Sequence, residues 1–121
     1  KNIAKILFIL ITLIFIGGTP ILAEDLTHNK TNEYLIYAKE VAEISVKSEK
    51  DVISIYPMLI IKDNTQVRIL EIYRNDDAYK RHIASPHFKK YKESTLHMVK
   101  NLNLIDTYQL CPDNFNKIFK K

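Results

Sequence analysis

Glycine is almost absent from this chain of 121 residues, since it occurs only as Gly17 and Gly18. None is found between Thr19 and the last residue, Lys121. Phosphate-binding loops, dinucleotide fingerprints and nucleophile elbows all need glycine where the backbone turns sharply or approaches a ligand closely. The sequence after Gly18 therefore excludes chemistry that depends on those motifs.

Tryptophan is missing, and cysteine occurs once, as Cys111. A single cysteine cannot form a disulfide within the chain, so Cys111 is expected to be a free thiol or an intermolecular link. The formal net charge of +4 is also modest. Removal of residues 1–23 would take away Lys1 and Lys5 and no acid, which lowers that charge to +2. Nucleic-acid binding needs a concentrated basic face, so we expect none here.

The N-terminal segment has the pattern of an export signal. Lys1 and Lys5 come before an apolar run over residues 6–16, in which Thr12 is the only polar residue. A short basic region, an apolar core and small residues are typical of a secretory signal peptide. We therefore expect residues 1–18 to form a signal peptide, with cleavage after Gly18 or Ala23, and a periplasmic or extracellular protein.

An uncleaved anchor is the alternative. The apolar run has about eleven residues, whereas a bilayer span needs roughly twenty. Adding Ile21–Ala23 would lengthen it, so membrane attachment is expected only if the segment stays uncleaved. The domain would then be a membrane-anchored partner module.

Periodicity of the apolar residues predicts alternating helices and strands in the rest of the chain. A helix over 31–48 is predicted to bury Tyr34, Leu35, Ala38, Val41, Ala42 and Ser45. The further predicted elements are strands at 52–62, 66–74 and 102–110 and helices at 77–84 and from Pro86 to about Asn101. Asn75-Asp76-Asp77 is a signature of a helix start, and Ser85 is expected to cap the helix that begins at Pro86. Pro57 indicates an edge strand or a bulge, because proline cannot donate a hydrogen bond to a neighbouring strand.

A weak candidate strand at Pro20–His28 would complete the order βαββαβ. This order is that of a ferredoxin-like α+β fold with an antiparallel sheet. One domain at 19–110 is therefore predicted, followed by a basic tail at 111–121 that is expected to be loose.

Residues 69–106 carry motifs of a known family. The motif residues are Glu71 and Tyr73 on a strand, Ala78, Tyr79 and His82 on a helix, Ser85, Pro86, His87, Phe88 and Tyr91 at the next helix, and Met98 and Val99 before the last strand. Upstream, Ser45, Val46, Glu49 and the stretch 52–56 resemble a further family motif, with Lys50-Asp51 in place of its Pro-Gly turn. The chain thus resembles the antibiotic biosynthesis monooxygenase family, in particular its quinol-monooxygenase-like branch.

The resemblance implies a homodimeric α+β barrel of ferredoxin-like subunits. Enzymes of this family oxidise a quinol or another electron-rich aromatic with O₂ and use no metal, flavin or haem cofactor. Such chemistry needs an apolar pocket, a base that ionises the substrate and hydrogen bonds that hold the anion. A non-catalytic dimeric module that binds an apolar ligand or assists a stress response is the alternative function.

Three residues are candidates for the catalytic groups. His87 would lie at the start of a helix, where the positive end of the helix dipole lowers the pKa of an imidazole and favours its neutral, basic form. His82 matches the most recognisable histidine of the family. Glu71 shares a strand face with Tyr73 and could orient a histidine. Each of them could instead be a structural residue that is bonded inside the core or at the helix kink.

Four further residues are expected to contact the substrate: Tyr73, Phe88, Tyr91 and Met98. Tyr73 stands where many members of the family have tryptophan. Phe88, Tyr91 and Met98 belong to a stripe at helical spacing, which is more often core than pocket wall. A metal site of His82, His87 and Glu71 is disfavoured, because the spacing crosses a helix break and the resemblance implies no metal. Haem breakdown in related proteins relies on a tryptophan, which this chain lacks.

Overall fold

The computed structural model describes residues 5–12 and 30–121. In chain order the elements are β1 (Lys5–Thr12), α1 (Thr31–Ser48), β2 (Val52–Leu59), β3 (Val67–Tyr73), α2 (Asp76–Ile83), α3 (Pro86–Thr95), β4 (Asn101–Thr107) and α4 (Phe115–Ile118), with 3₁₀ turns at Leu96–Met98 and Pro112–Asn114. The predicted ferredoxin-like α+β fold is confirmed. Within the described ranges, no helix is both long and apolar enough to cross a membrane.

The sheet has the strand order β2-β3-β1-β4, and all of its neighbouring strands are antiparallel. β2 therefore lies at an edge, which explains how it accommodates Pro57. Its register against β3 shifts between Val52 and Ser54, so Ile53 is the extra residue of a β-bulge. The predicted edge position of Pro57 is thus confirmed.

β1 lies between β3 and β4, inside the segment that the sequence predicts to be a signal peptide. The strand predicted at Pro20–His28 lies outside the described residues. Cleavage after Gly18 or Ala23 would remove β1, and another segment would then have to fill its place in the sheet. Export and cleavage stay predictions.

Helix α1 covers one face of the sheet with the side chains that its periodicity predicts. Its buried residues are Thr31, Tyr34, Ala38, Val41, Ala42 and Ser45, and Leu35 is packed beside them. Tyr34, Ala38 and Ala42 meet Val52, Ile55, Val67 and Ile69 of β2 and β3 in the main hydrophobic cluster. Burial of these apolar surfaces is the main force that holds helix and sheet together.

The two helices after β3 begin at the caps that the sequence predicts. Asn75 accepts a hydrogen bond from the backbone N–H of Ala78 and caps α2. Ser85 accepts one from Phe88, and Pro86 occupies the first position of α3, where its missing N–H has no cost. The Ser85 hydroxyl also donates to the carbonyl of His82, which fixes the junction between α2 and α3.

Three predicted elements end more than one residue away from their predicted ends. β2 stops at Leu59 rather than 62, because Asp63 accepts bonds from the N–H and hydroxyl of Thr65 and forms a tight turn. α3 stops at Thr95, whose hydroxyl donates to the carbonyl of Tyr91, and a 3₁₀ turn follows. The last strand covers Asn101–Thr107 instead of 102–110.

The C-terminal tail has more order than expected. It forms a 3₁₀ turn and α4, and Phe115 stacks near Phe119. The Lys121 ammonium donates to the backbone carbonyls of Val46, Glu49 and Val52. The Val46 carbonyl lies in the last turn of α1, where it has no helical partner, so Lys121 connects the tail to the end of α1 and the start of β2.

Candidate active site

An apolar cavity of about 590 Å³ lies between α3 and β4. Phe88 and Tyr91 line it from α3, and Leu102 and Leu104 line it from β4. Glu71 reaches it from the neighbouring sheet surface. A cavity of this size with mostly apolar walls is typical of a small-molecule site. Lysine and glutamate residues of α3 also contribute to its lining.

Glu71 is the buried carboxyl group of this cavity, and only 4% of the residue is exposed. Burial raises the pKa of Glu71 to about 7, and the hydrogen bond from the Tyr73 hydroxyl reduces that rise only in part. Glu71 and Tyr73 share a strand face, as their spacing predicts. The carboxyl group can therefore exchange a proton near neutral pH, which suits a general base.

Asn101, the first residue of β4, also contributes to the cavity lining and is 4% exposed. The strand register gives it the alternation of Ile105, so its side chain lies on the sheet face opposite to that of Glu71 and Leu102. Its amide is therefore not placed to donate to a ligand beside Glu71.

Two tyrosines form a pair beside the cavity. The hydroxyls of Tyr34 and Tyr91 lie 2.7 Å apart, and the rings pack edge to face. Burial, with the nearby Glu71 carboxyl contributing, raises the pKa of Tyr34 and of Tyr91 above the ordinary value. Both phenols therefore remain neutral at physiological pH and fix the position of α3 against α1.

His82 packs behind Phe88, which lines the cavity, and only 2% of His82 is exposed. Its ring packs against Tyr73 and Phe88 at centroid distances of 5.5 and 5.1 Å. Its Nδ1 lies 2.8 Å from the Glu49 carboxylate. Burial lowers the pKa of His82 although Glu49 opposes the shift, so the imidazole is mainly neutral near pH 7.

His87 meets the same carboxylate oxygen. Its Nε2 lies 2.6 Å from Oε2 of Glu49, and the two imidazole rings are 6.1 Å apart. Partial burial would raise the pKa of Glu49, but the hydrogen bonds from His82 and His87 outweigh this effect and lower it. We name these three residues, Glu49, His82 and His87, the carboxylate–histidine cluster.

The structure divides the predicted site residues into two groups. Glu71, Phe88 and Tyr91 line the cavity, and Tyr73 joins them through its bond to Glu71. His82 and His87 are not among the described residues that line it; they belong to the carboxylate–histidine cluster. Met98 lies in the hydrophobic core.

The disfavoured metal set of His82, His87 and Glu71 does not come together. Among the residues with described side chains, the carboxylate that joins the two histidines is Glu49, whereas Glu71 is bonded to Tyr73. The sequence alone assigns no site role to Glu49, although the Ser45-Val46 and Glu49 motif is a signal that marks this residue.

The strand order and the helices that cover one sheet face define the class of ferredoxin-like α+β proteins, here with an apolar cavity and a buried carboxyl group. Residues 26–94 match the family described as Antibiotic biosynthesis monooxygenase. Since this match covers more than half of the chain, the protein belongs to that family. No curated protein matches the chain significantly.

Solved structures agree with this assignment. A candidate antibiotic biosynthesis monooxygenase from Bacteroides thetaiotaomicron is 37% identical, with a TM-score of 0.75 over 88% of this chain and 90% of that one. Candidate antibiotic biosynthesis monooxygenases from Nitrosomonas europaea and Caulobacter crescentus are each 12% identical, with TM-scores of 0.75 and 0.73. The first match covers 93% of this chain and 95% of its relative, and the second covers 90% and 92%. At 12% identity these two show only a shared fold.

Proposed function

We propose that the protein is a monooxygenase that oxidises a quinol or a similar electron-rich phenol with O₂, without a metal or organic cofactor. The observation that carries the proposal is the buried Glu71 carboxyl, whose pKa is raised to about 7 at the wall of an apolar cavity. A base with this pKa can remove a phenolic proton at neutral pH. Family membership supports the monooxygenase reaction, and the cavity supports an aromatic substrate.

The reaction starts with proton transfer from a substrate hydroxyl to the Glu71 carboxylate. The Tyr73 hydroxyl, which donates to Oε1 of Glu71, fixes the position of that carboxylate. The substrate anion then supplies electrons to O₂. One oxygen atom enters the ring and the other leaves as water, so that quinol and O₂ give hydroxyquinone and water.

Oxygen uptake with menadiol, a naphthoquinol, tests the proposal. The native protein should consume O₂ faster than autoxidation does, and ¹⁸O from ¹⁸O₂ should appear in the quinone product. Glu71→Gln keeps the shape of the side chain but removes the base, so the rate should fall at least ~100-fold. Glu43→Gln changes an exposed glutamate of α1 and should leave the rate unchanged.

Two results would contradict the proposal. Uptake that never exceeds autoxidation, together with saturable quinone binding, would favour the non-catalytic ligand-binding module. Equal rates for Glu71→Gln and the native protein would show that this carboxyl is not the base.

We propose a homodimer as the working form. Tyr56, Met58 and Ile105 are exposed, and the strand register places them on the sheet face opposite to the main cluster. An apolar sheet surface of this kind is costly in water and suits burial against a second copy. The family resemblance supports the same arrangement.

A further inference from the structure

The carboxylate–histidine cluster has the chemistry of a metal site. Glu49, His82 and His87 each offer one ligand atom, and these atoms all lie within 4.8 Å of one another. Two imidazole nitrogens and a carboxylate oxygen suit first-row divalent ions such as Zn²⁺. We propose that this cluster binds one divalent transition-metal ion, separately from the apolar cavity.

The local fold places the three ligands together. Glu49 is the residue at which α1 ends, His82 lies in the last turn of α2, and His87 is the second residue of α3. The break at Ser85-Pro86 restarts the chain as a new helix, so the two histidines meet one carboxylate. A bound ion would therefore connect the ends of three helices.

The distances need only small side-chain adjustments. Oε2 of Glu49 lies 2.8 Å from Nδ1 of His82 and 2.6 Å from Nε2 of His87. Ligand atoms around a tetrahedral zinc ion are about 3.3 Å apart, given metal–ligand distances of about 2.0–2.2 Å. The ion would lie where the two imidazole nitrogens now contact the carboxylate.

The surroundings give an ion a route from solvent. The side chains of Glu49 and His87 are each 17% exposed, whereas that of His82 is 3% exposed. Glu49 also lines a small surface cavity of about 230 Å³ with Asp51 and Arg81. Three protein ligands leave one position of a tetrahedral ion for water, as in exchangeable sites.

Nearby cations weaken the site without removing it. Lys121 donates to the backbone carbonyl of Glu49, and Arg81 pairs with Asp51 across the small cavity. Replacing Lys121 by methionine removes a positive charge close to the ligands. The Lys121→Met variant should therefore bind the metal ion more tightly than the native chain does.

Zinc titration of the tag-free, metal-stripped full chain tests the proposal. Calorimetry should show one Zn²⁺ per chain, and Co²⁺ should give the visible bands of a site with nitrogen and oxygen ligands. Glu49→Gln and His87→Gln should each weaken Zn²⁺ binding at least ~10-fold. His97→Gln alters an exposed histidine and is the matched control, with affinity unchanged.

The outcomes separate this site from the proposed oxidation and from misfolding. Circular dichroism and thermal unfolding establish that each variant is folded before its affinity is compared. Zinc affinity is read without any substrate, so a failure of quinol oxidation does not affect it. Absence of saturable binding at one equivalent, or equal affinity in Glu49→Gln, His87→Gln and the native chain, would overturn the proposal.

Discussion

Glu71 combines two properties that rarely occur together in a carboxyl group: it is nearly fully buried, and its bonding partner is a neutral phenol rather than a cation. A buried acid without a cationic partner holds its proton more tightly than in water. This property makes Glu71 useful as a base near neutral pH. It also makes Glu71 a source of pH-dependent stability.

Stability should fall as pH rises through the range that Glu71 titrates. Its folded pKa of about 7 lies above the ordinary value of 4.5, so the folded state binds the proton more tightly. The contribution is fully present below about pH 4.5 and is lost as pH rises through 7. It amounts to roughly 3 kcal/mol, as an upper estimate from about 1.4 kcal/mol per pKa unit.

Urea unfolding at pH 5 and pH 8 measures this effect. The free energy of unfolding should decrease from pH 5 to pH 8 more steeply in the native protein than in Glu71→Gln. Glu43→Gln, with an exposed side chain, should follow the native protein. An identical pH dependence in native protein and Glu71→Gln would contradict the raised pKa.

At the scale of elements, the Lys121 side chain connects the C-terminal tail, residues 111–121, to the end of α1. The Lys121 ammonium donates to three backbone carbonyls near the start of β2. Burial lowers the pKa of Lys121, which is consistent with its position against the protein surface. These bonds tie α4 to the helix end that carries Glu49.

Lys121→Met should destabilise the protein by about 1 kcal/mol, because it removes hydrogen bonds to backbone carbonyls, of which that of Val46 lacks a helical partner. Lys120→Met changes the neighbouring exposed lysine and should have little effect. Thermal unfolding and hydrogen exchange at the end of α1 would measure both variants. No difference between them would show that the tail does not stabilise this helix end.

Helix and strand types were predictable here because apolar spacing and caps are local signals. The buried face of α1 and the caps at Asn75 and Ser85 follow from them. Element ends were less predictable, because side-chain bonds such as that of Asp63 to Thr65 stop a strand early. Proximity across the chain could not be predicted, and so Glu49 was not expected beside His82 and His87.

At the scale of the whole molecule, we predict that two copies of the chain cover the exposed sheet face. Sedimentation equilibrium should give twice the mass of one chain. Met58→Asp with Ile105→Asp should give monomers, since both substitutions place charge in the apolar face. Ile61→Asp is the control, because Ile61 is 99% exposed and lies outside the sheet.

If the double variant is still a dimer, the interface lies elsewhere on the protein and not on this sheet face. A monomeric native protein would instead contradict the homodimer itself. Neither result would alter the position of Glu71 in the cavity of one chain. The chemistry at Glu71 therefore has to be tested separately from assembly.

The pH dependence of kcat/KM for menadiol oxidation, corrected for autoxidation, tests the role of Glu71 most directly. Because only the carboxylate accepts a proton, kcat/KM should rise about tenfold per pH unit below pH 7 and become constant above it. Glu71→Gln should lose both the rate and this rise. A flat profile between pH 5 and 8, or the native profile in Glu71→Gln, would contradict the assignment of Glu71 as the base.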